Sequence, residues 1–328
     1  MKSKIIDDIN QTIYRYLSEH PILKQDVTLQ EMLYYALGFH KDGSLLESGK
    51  RLRPLFCCLT CGVFSGNYED ALLYGAALEM LHNYTLVHDD IEDNSDTRHN
   101  RPALWKRNGM ALAINAGDLL YEIALSAAAK ADRQNGKNGL ARMMNMSENL
   151  FLGQHRDISF EKRTDISEAE YLQMVDGKTS ALLGCSFALG AMAGGADEET
   201  IAAVESAGKK LGVAFQIRDD YLGTWGESSK VGKSVSADII DKKNTLAVVY
   251  TAVNDPEFLS EWQKYDGKPD RVPEFAHLME KAGAPEYLMA QCKKYTEEAE
   301  EIFGAYFEKN EYQALIADIS ASLVGRNK

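Results

Sequence analysis

A long stretch without proline is the feature that most restricts the fold of this chain. No proline occurs between Pro102 and Pro256, and the stretch is rich in Ala, Leu, Met and Glu, which are good helix formers. Apolar residues recur at helical spacing, and the sequence shows no sustained strand alternation. Residues 67–90 are apolar on most helix faces, which is typical of a helix buried in a bundle. The sequence therefore predicts an all-α fold.

Nothing along the chain predicts a linker between domains. A chain of 328 residues can form one large domain or two ordinary ones. A looser connection is predicted over residues 256–273, with two or three helices after it. Residues 179–196 carry no charge but are diluted by Gly, Ser and Ala, which favours a buried core helix over a membrane span. We therefore predict one domain over residues 1–328 and no membrane span.

The charge balance and the cysteines argue against several classes of function. The chain has 36 Lys and Arg against 49 Asp and Glu, a net charge of −13, and no basic tract, so a nucleic-acid binder is not expected. The N-terminal residues lack the apolar core of a secretory signal. The five cysteines have no paired spacing, which fits buried free thiols in a reducing cytoplasm better than a zinc site.

Two pairs of adjacent aspartates end apolar helical runs. Asp89 and Asp90 lie in "HDDIEDNSD" with Asp93 one turn further on, and Asp219 and Asp220 lie in "AFQIRDDYLG". Asp89 and Asp93, at i and i+4, share one helix face. If the two helices face each other, the carboxylates converge on a cation, and oxygen ligands together with phosphate suit Mg²⁺. Each pair could instead cap its helix in solvent, but the presence of both favours a metal site.

Basic residues at the start of a predicted helix indicate a phosphate. Lys50, Arg51 and Arg53 precede Pro54, and proline favours the first turn of a helix. Positive side chains there oppose the helix dipole unless an anion lies between them. Loose surface cations are the alternative, above all for Arg51. Lys178 directly precedes the uncharged run at 179–196. If this lysine is buried, its ammonium must have a charged or polar partner or extend to solvent.

These stretches, from about residue 48 to 246, resemble the trans-isoprenyl diphosphate synthases, the head-to-tail prenyltransferases. The matching elements come in the family's order: GKRLRP, LEMLHNYTLVHDD, DDIED, GQHRDI, DGKTSALL, FQIRDD and GKSVSADIIDKKNT. The resemblance implies the isoprenoid synthase fold, in which antiparallel helices surround a central apolar cavity. It also implies a cytoplasmic homodimer and three Mg²⁺ ions bound with the allylic diphosphate.

The resemblance also implies a role for each matching residue. Isopentenyl diphosphate is expected to bind Lys50, Arg53, His82 and His99. The allylic diphosphate is expected to bind Arg98, Lys178, Thr179, Gln216, Lys233 and Lys243. The expected metal ligands are Asp89, Asp90, Asp93, Asp219 and Asp220, and the expected catalytic residues are Asp89, Asp90, Lys178, Asp219 and Lys243. The product length is expected to depend on Tyr84 and Thr85.

The implied reaction condenses the two diphosphates. The allylic C–O bond ionises, the isopentenyl double bond attacks the cation, and the released diphosphate takes the proton. The pair Tyr84-Thr85, one large and one small residue, and the absence of an insertion in the first acidic motif are similar to archaeal geranylgeranyl synthases. A C20 product is therefore expected, with C15 next. Ordinary core packing is the alternative role of Tyr84.

Three positions depart from the family's pattern. Gly223 stands where a third aspartate is usual, His99 replaces an arginine, and Asn100 replaces a glycine. We expect Gly223 to weaken one metal site, a Gly223→Asp change to be tolerated, and His99 to weaken the isopentenyl diphosphate pocket.

The alternative functions are a terpene synthase or cyclase, a weakly active regulatory subunit of a heteromeric synthase, and a head-to-head condensing enzyme. The isopentenyl diphosphate residues argue against the cyclase and the head-to-head enzyme.

Overall fold

The computed structural model describes residues 1–46, 49–226 and 237–325. These residues form helices joined by short turns, and the all-α prediction is confirmed. The helices are α1 (Lys2–Glu19), α2 (Val27–Ala36), α3 (Leu52–Ser65), α4 (Leu72–Glu92), α5 (Leu104–Asn108), α6 (Met110–Asn135), α7 (Gly139–Phe160), α8 (Glu168–Val175), α9 (Ala181–Ala193), α10 (Glu198–Trp225), α11 (Ala237–Ile240), α12 (Leu246–Asn254), α13 (Pro256–Lys264), α14 (Val272–Lys281), α15 (Ala284–Tyr306) and α16 (Glu311–Leu323).

Short segments of other geometry join these helices. Turns of 3₁₀ helix span Leu23–Gln25, Glu69–Ala71 and Pro269–Arg271, and a π-helical segment spans Asp176–Ser180. The strands β1 (Thr97–Arg98) and β2 (Arg101–Pro102) pair antiparallel as a small hairpin.

Packing divides the chain into two compact units. Unit 1 comprises Met1–Asn145, Cys185–Ala202 and Phe307–Ile316, and unit 2 comprises Met146–Gly184, Ala203–Tyr306 and Ala317–Lys328. The prediction of one domain over residues 1–328 stays a prediction.

Unit 1 is built on α4. Helices α1, α3 and α6 pack against it. The four-residue spacing of Ile5, Ile9, Ile13 and Leu17 makes one face of α1 apolar, and all four side chains are fully buried. The chain's five cysteines are buried and form no disulfide, as predicted.

Unit 2 contains a cluster of aromatic rings between α13 and α14. The ring of Trp262 lies 5.1 Å from that of Phe275, and both are buried. Pro256 occupies the first turn of α13, where its missing N–H costs nothing, and the side chain of Asp255 accepts from the backbone N–H groups of the same turn. The predicted loose connection over 256–273 is therefore wrong, because the prolines begin helical segments instead of interrupting them.

Two apolar segments bear on the prediction that no segment spans a membrane. The uncharged run at 179–196 contains α9, whose residues are all buried, as predicted for a core helix. Among the described helices, α6 alone is long and apolar enough to cross a membrane by length and composition, a test that core helices also pass. The absence of a membrane span stays a prediction.

Candidate active site

The first acidic motif lies at the carboxyl end of α4. The backbone N–H of Asp93 donates to the carbonyl of Asp89 at 2.8 Å, so the two residues are one helical turn apart. Asp93 is exposed and Asp89 is half-buried, whereas Asp90 is only 3% exposed. The three aspartates therefore do not share one environment, because Asp90 alone lies in the interior of unit 1.

Arg98 of the hairpin holds Asp90. Its Nε and Nη2 donate to Oδ1 of Asp90 at 3.0 and 2.6 Å. Burial raises the pKa of Asp90, and the guanidinium of Arg98 opposes that rise. The hairpin turns back through His99 and Asn100, whose φ angles are 50° and 57°. Asparagine tolerates this left-handed conformation, so Asn100 can stand where the family usually has glycine.

Two residues predicted to bind isopentenyl diphosphate are in contact in unit 1. Nη1 of Arg53 lies 3.0 Å from Nε2 of His82. Burial first, and then the charges of Arg53, Arg98 and nearby groups, lower the pKa of His82 well below its ordinary value. The ring is therefore neutral near pH ~7, and its Nε2 accepts the arginine N–H.

The remaining residues of this predicted set are near the same segment. Lys50 is exposed just before α3. A β-carbon added at Gly49 would lie 3.8 Å from Nε2 of His99, so the His99 ring lies against the backbone of the GKRLRP element. The structure thus brings His99 to the segment that carries Lys50 and Arg53.

Arg51 has a structural role that the sequence did not reveal. The residue is 4% exposed, and its guanidinium donates to Oε1 of Glu79 at 2.7 Å, to Oδ1 of Asn10 at 3.0 Å and to the carbonyl of Leu37 at 2.5 Å. The interpretation of Arg51 as a phosphate-binding or loose surface cation is wrong, because its donors are used inside unit 1.

One face of α4 carries both kinds of predicted site residue. His82, Asp89 and Asp93 are separated by seven and then four residues, which are close to whole helical turns. At about 1.5 Å per residue, His82 and Asp89 are roughly 10 Å apart along the axis. The Arg53–His82 contact and the acidic motif therefore follow each other along a single side of this helix.

The second acidic motif, on α10 in unit 2, also separates its two aspartates. Asp219 is exposed and Asp220 is 4% exposed. Oδ2 of Asp220 accepts from the Tyr171 hydroxyl at 2.6 Å and from the Leu246 N–H at 2.8 Å, and Oδ1 accepts from Nε2 of Gln216 at 2.9 Å. Burial raises the pKa of Asp220 to about 7, although these three hydrogen bonds favour the charged form.

Lys178 and Thr179 lie in the π-helical segment between α8 and α9. Lys178 forms an ion pair with Asp157 of α7, and the Thr179 hydroxyl donates to Oε1 of Gln216 at 2.8 Å. A β-carbon added at Gly177 would lie 2.5 Å from the carbonyl oxygen of Asn149, so only glycine permits this close approach to α7. Single π-helical turns often occur at functional sites.

A cavity of about 340 Å³ joins the predicted residues of unit 2. Its lining includes Asp157, Tyr171, Lys178, Gln216, Asp219, Asp220, Gly223, Asp238 and Lys243.

The structure distinguishes Lys243 from its neighbour Lys242. Lys242 donates to the carbonyl of Tyr265 at 2.6 Å, whereas Lys243 lines the cavity. Lys233 lies outside the described residues.

The side chain of Asp238 lies beside Gly223. A β-carbon added there would lie 2.9 Å from the carboxylate carbon of Asp238 and still closer to its Oδ2. A Gly223→Asp change would therefore require the side chain of Asp238 to move, and the expectation that the change is tolerated stays a prediction.

Tyr84 belongs to an aromatic cluster of α4 and α6. Its ring lies 4.7 Å from that of His88 and 5.1 Å from that of Tyr121. Burial raises the pKa of Tyr84 to about 12, so the hydroxyl stays protonated. Thr85 donates to the carbonyl of His82 at 2.7 Å. Tyr84 is half-buried, so it combines ring packing with partial access from outside.

Sequence reasoning did not find Tyr121, Tyr171 and Asp238. The two tyrosines stand in no motif, and nothing in their spacing signals a contact with Tyr84 or Asp220. Asp238 lies within the GKSVSADIIDKKNT element, so an acidic residue next to Gly223 could have been sought there.

The acidic residues suit Mg²⁺ only together with further ligands. Within residues 1–46, 49–226 and 237–325, no group of three or more His, Cys, Asp or Glu side chains could hold a metal ion. Carboxylate oxygens are nevertheless what Mg²⁺ prefers, and this ion usually completes its coordination with waters and substrate phosphates. The donor set therefore fits an ion that binds along with a diphosphate.

Comparison with known proteins identifies the family. The family model described as Polyprenyl synthetase matches residues 42–280. A short chain isoprenyl diphosphate synthase of Methanothermobacter thermautotrophicus is 35% identical over 284 residues, which cover 84% of this chain and 86% of that protein. A geranylgeranyl diphosphate synthase of Sulfolobus acidocaldarius is 36% identical over 254 residues, covering 76% of this chain and 73% of that protein.

A solved structure shows the same fold. The geranylgeranyl pyrophosphate synthetase of Pyrococcus horikoshii matches with a TM-score of 0.87 and 31% identity, covering 99% of this chain and 98% of that chain. The predicted isoprenoid synthase fold is confirmed. The chain belongs to the polyprenyl synthetase family and is a prenyltransferase of the short-chain isoprenyl diphosphate synthase type.

Proposed function

We propose that the chain condenses isopentenyl diphosphate with an allylic diphosphate in a Mg²⁺-dependent reaction. The main support is the single face of α4 that carries His82, in contact with Arg53, and then Asp89 and Asp93. Cations bind a diphosphate directly, whereas carboxylates need a metal between them and a phosphate. One helix face thus offers two different modes of diphosphate binding, as a condensation of two diphosphates requires.

Lys50, Arg53, His82 and His99 bind isopentenyl diphosphate in this proposal. The neutral His82 ring accepts an N–H of Arg53, which holds the guanidinium, a strong diphosphate ligand, beside the imidazole. The placement of His99 against Gly49 supports its inclusion, although histidine offers fewer donors than the usual arginine.

Asp89, Asp93 and Asp219 are the proposed primary Mg²⁺ ligands, because they are the aspartates of the two motifs that border solvent. Bound Mg²⁺ would neutralise the negative charge that develops on the leaving diphosphate. Asp90 and Asp220 were predicted as ligands too, and we propose that they act first as positioning residues. Asp90 orients Arg98, and Asp220 orients Gln216 through its hydrogen bond.

The allylic diphosphate is proposed to contact a set of cationic and polar side chains: Arg98, Lys178, Thr179, Gln216, Lys233 and Lys243. The positive groups stabilise the leaving diphosphate as the C–O bond breaks. The isopentenyl double bond then attacks the allylic cation, and the released diphosphate accepts the proton. Lys178 and Lys243 are the catalytic lysines of this proposal, because both line the cavity that Asp219 also lines.

We propose a C20 product, with C15 next. Tyr84 and Tyr121 place two large rings about 5.1 Å apart, one turn and a half before the first acidic motif. A growing chain that runs along α4 away from Asp89 would meet this obstacle. Relatives named geranylgeranyl diphosphate synthase support the C20 length.

We further propose a cytoplasmic homodimer. The first two turns of helix α6 expose Met110, Leu112 and Ile114 at 48%, 55% and 39% of their surface, which is unusual for large apolar residues so close together. A second copy would cover these turns. Light scattering should report a dimer for the parent and a monomer for Leu112→Glu, whereas the control Val253→Glu, at an isolated exposed valine, should stay dimeric. A monomeric parent would contradict the dimer.

One incubation tests the proposed function. The purified chain is incubated with Mg²⁺, isopentenyl diphosphate and each allylic starter of five, ten or fifteen carbons, and the products are sized after removal of the diphosphate. A product longer than the starter by C5 units, lost when a chelator removes Mg²⁺, is expected.

The same incubation separates the alternatives. Failure of the single chain to make any product would favour a regulatory subunit of a heteromeric synthase. A hydrocarbon released from the allylic diphosphate alone would favour a terpene cyclase. The family relatives support neither alternative.

A further inference from the structure

The loop that carries Lys243 joins α11 to α12 and is restrained at several points within unit 2. The backbone N–H of Lys243 donates to the carbonyl of Asp238 at 2.9 Å, and the N–H of Leu246 donates to Oδ2 of Asp220 at 2.8 Å. Lys242 has a φ of 53°, a left-handed conformation that a lysine keeps only where its surroundings hold it. These contacts restrain the backbone on both sides of Lys243.

The side chain of Asn244 attaches the same loop to a helix that is distant in sequence. Its Nδ2 donates to the carbonyl of Phe160 at 2.7 Å and to that of Arg163 at 3.1 Å, across 84 and 81 residues of sequence. Phe160 is the last residue of α7, and the carbonyls of a last helical turn need donors from outside the helix. One amide group therefore joins the Lys243 loop to the carboxyl end of α7.

The two segments that this amide joins border the same cavity. Asp157 lies on α7, forms an ion pair with Lys178, and lines the cavity that Lys243 also lines. Lys243 is exposed, whereas its neighbour Asn244 is half-buried. The amide of Asn244 therefore limits how far the loop that carries Lys243 can move from the helix that carries Asp157.

We propose that Asn244 is a positioning residue for Lys243, and that its amide holds the loop where the lysine ammonium meets the leaving diphosphate. This inference rests on the proposed function, in which Lys243 binds the allylic diphosphate. A lysine is a point charge on a flexible stem, and a charge stabilises a leaving group best when it is in place before the bond breaks. Because a misplacement of about 1 Å can cost about a hundredfold in rate, loss of the amide should be visible in kcat.

Capping the end of α7 is the alternative role of the Asn244 amide. In that role the amide stabilises the helix end and does nothing for Lys243. The two roles predict different results. A helix cap changes Tm by the same amount with or without Lys243, whereas a positioning residue changes kcat and diphosphate binding only while the lysine is present.

A double-mutant cycle of Asn244 and Lys243 separates the two roles. For Asn244→Ala, Lys243→Ala and the double variant, we would measure kcat, KM for isopentenyl diphosphate, and the Kd of inorganic diphosphate at saturating Mg²⁺ by calorimetry. Asn244→Ala should lower kcat about tenfold to a hundredfold and weaken diphosphate binding, with KM for isopentenyl diphosphate close to that of the parent. In the Lys243→Ala background the same change should alter kcat and Kd by less than about twofold.

Two further variants sharpen the test. Asn254→Ala is the matched control, because it removes an exposed amide that also donates to a backbone carbonyl, that of Tyr250 at 2.8 Å, and it should match the parent. Asn244→Asp keeps the shape of the side chain but has no N–H to donate, so it should lose kcat as Asn244→Ala does. A melt without ligands checks the folding of each variant, and Asn244→Asp decides the matter if Asn244→Ala does not fold.

Two results would overturn the proposal. One is a folded Asn244 variant with the kcat and the diphosphate Kd of the parent, and the other is an equal loss with and without Lys243. If the parent makes prenyl products while either result is found, only this inference fails. If the parent makes none while the Kd values show the expected dependence on Lys243, the proposed function fails and the positioning of Lys243 by Asn244 stands.

Discussion

Arg51 and Arg53 stand two residues apart in one basic element, and we predict that they do different work. Arg51 is buried against Glu79, whereas Arg53 is half-buried and contacts His82. Arg51→Met should destabilise the fold and leave the affinity of the folded protein for isopentenyl diphosphate unchanged. Arg53→Met should do the reverse.

The expected magnitude follows from the burial of the ion pair. Arg51 and Glu79 are each 4% exposed, and their charged atoms lie 2.7 Å apart. Removing one partner of a buried pair leaves the other charge uncompensated, which typically costs about 3–5 kcal/mol in the free energy of unfolding. For a chain of this size the loss corresponds to a fall in Tm of roughly 4–7 °C. Asn83 donates to the same Glu79 oxygen at 3.0 Å and should keep the cost near the lower value.

Thermal melts and steady-state kinetics check this prediction together. Arg51→Met should lower Tm within that range with an unchanged KM for isopentenyl diphosphate, and Arg53→Met should raise KM with a small change in Tm. Arg51→Met combined with Glu79→Leu should recover part of the lost stability, because no charge then remains buried. A stable Arg51→Met variant with a raised KM would refute the reasoning and return Arg51 to the substrate site.

The remaining predictions concern the reaction. Asp89→Asn and Asp219→Asn should each lower kcat by several orders of magnitude, while circular dichroism should show an intact fold. Near-parent turnover would contradict their role as metal ligands. The control Asp70→Asn changes an exposed acid before α4 and should match the parent. Tyr84→Ala should lengthen the products by one or more C5 units in chromatography, and an unchanged product distribution in an active variant would exclude Tyr84 as the obstacle. Partial burial and the charges of nearby arginines lower the pKa of His99. Its positive charge is therefore lost as the pH rises through a value below ~6.5, and KM for isopentenyl diphosphate should rise there. His99→Arg should flatten this rise, and identical pH profiles would contradict the assignment.

The helical fold could be predicted because its signal is local. The proline-free stretch from 102 to 256 and its good helix formers restrict the backbone to helices wherever the chain packs. The prolines at 256 and 273 misled the prediction, since the residue type alone does not tell a helix start from a loop. Asp255, whose side chain accepts two backbone N–H groups, makes Pro256 a start.

The order of the motifs identified the family, but not which acid of each adjacent pair is buried. Adjacent residues on a helix point about 100° apart, so only one of two neighbouring aspartates can face a given side. Asp90 and Asp220 turn inward because Arg98 and Tyr171 are there to bind them. Arg98 is expected from the sequence to bind a diphosphate and not Asp90, and Tyr171 stands in no motif, so no local pattern reveals either contact.

The sequence by itself determined the helical backbone, the presence of acidic and basic motifs, and hence the family. Only the tertiary structure decided which members of each motif serve the fold and which border the cavity or solvent. The difference between Arg51 and Arg53 depends on a buried Glu79 that lies 28 residues away from Arg51. The place of Asp238 beside Gly223 depends on a contact between two separate segments. In both cases the role of the residue depends on its burial and on the charge of the group that it contacts. A residue acquires these surroundings only when distant segments pack together.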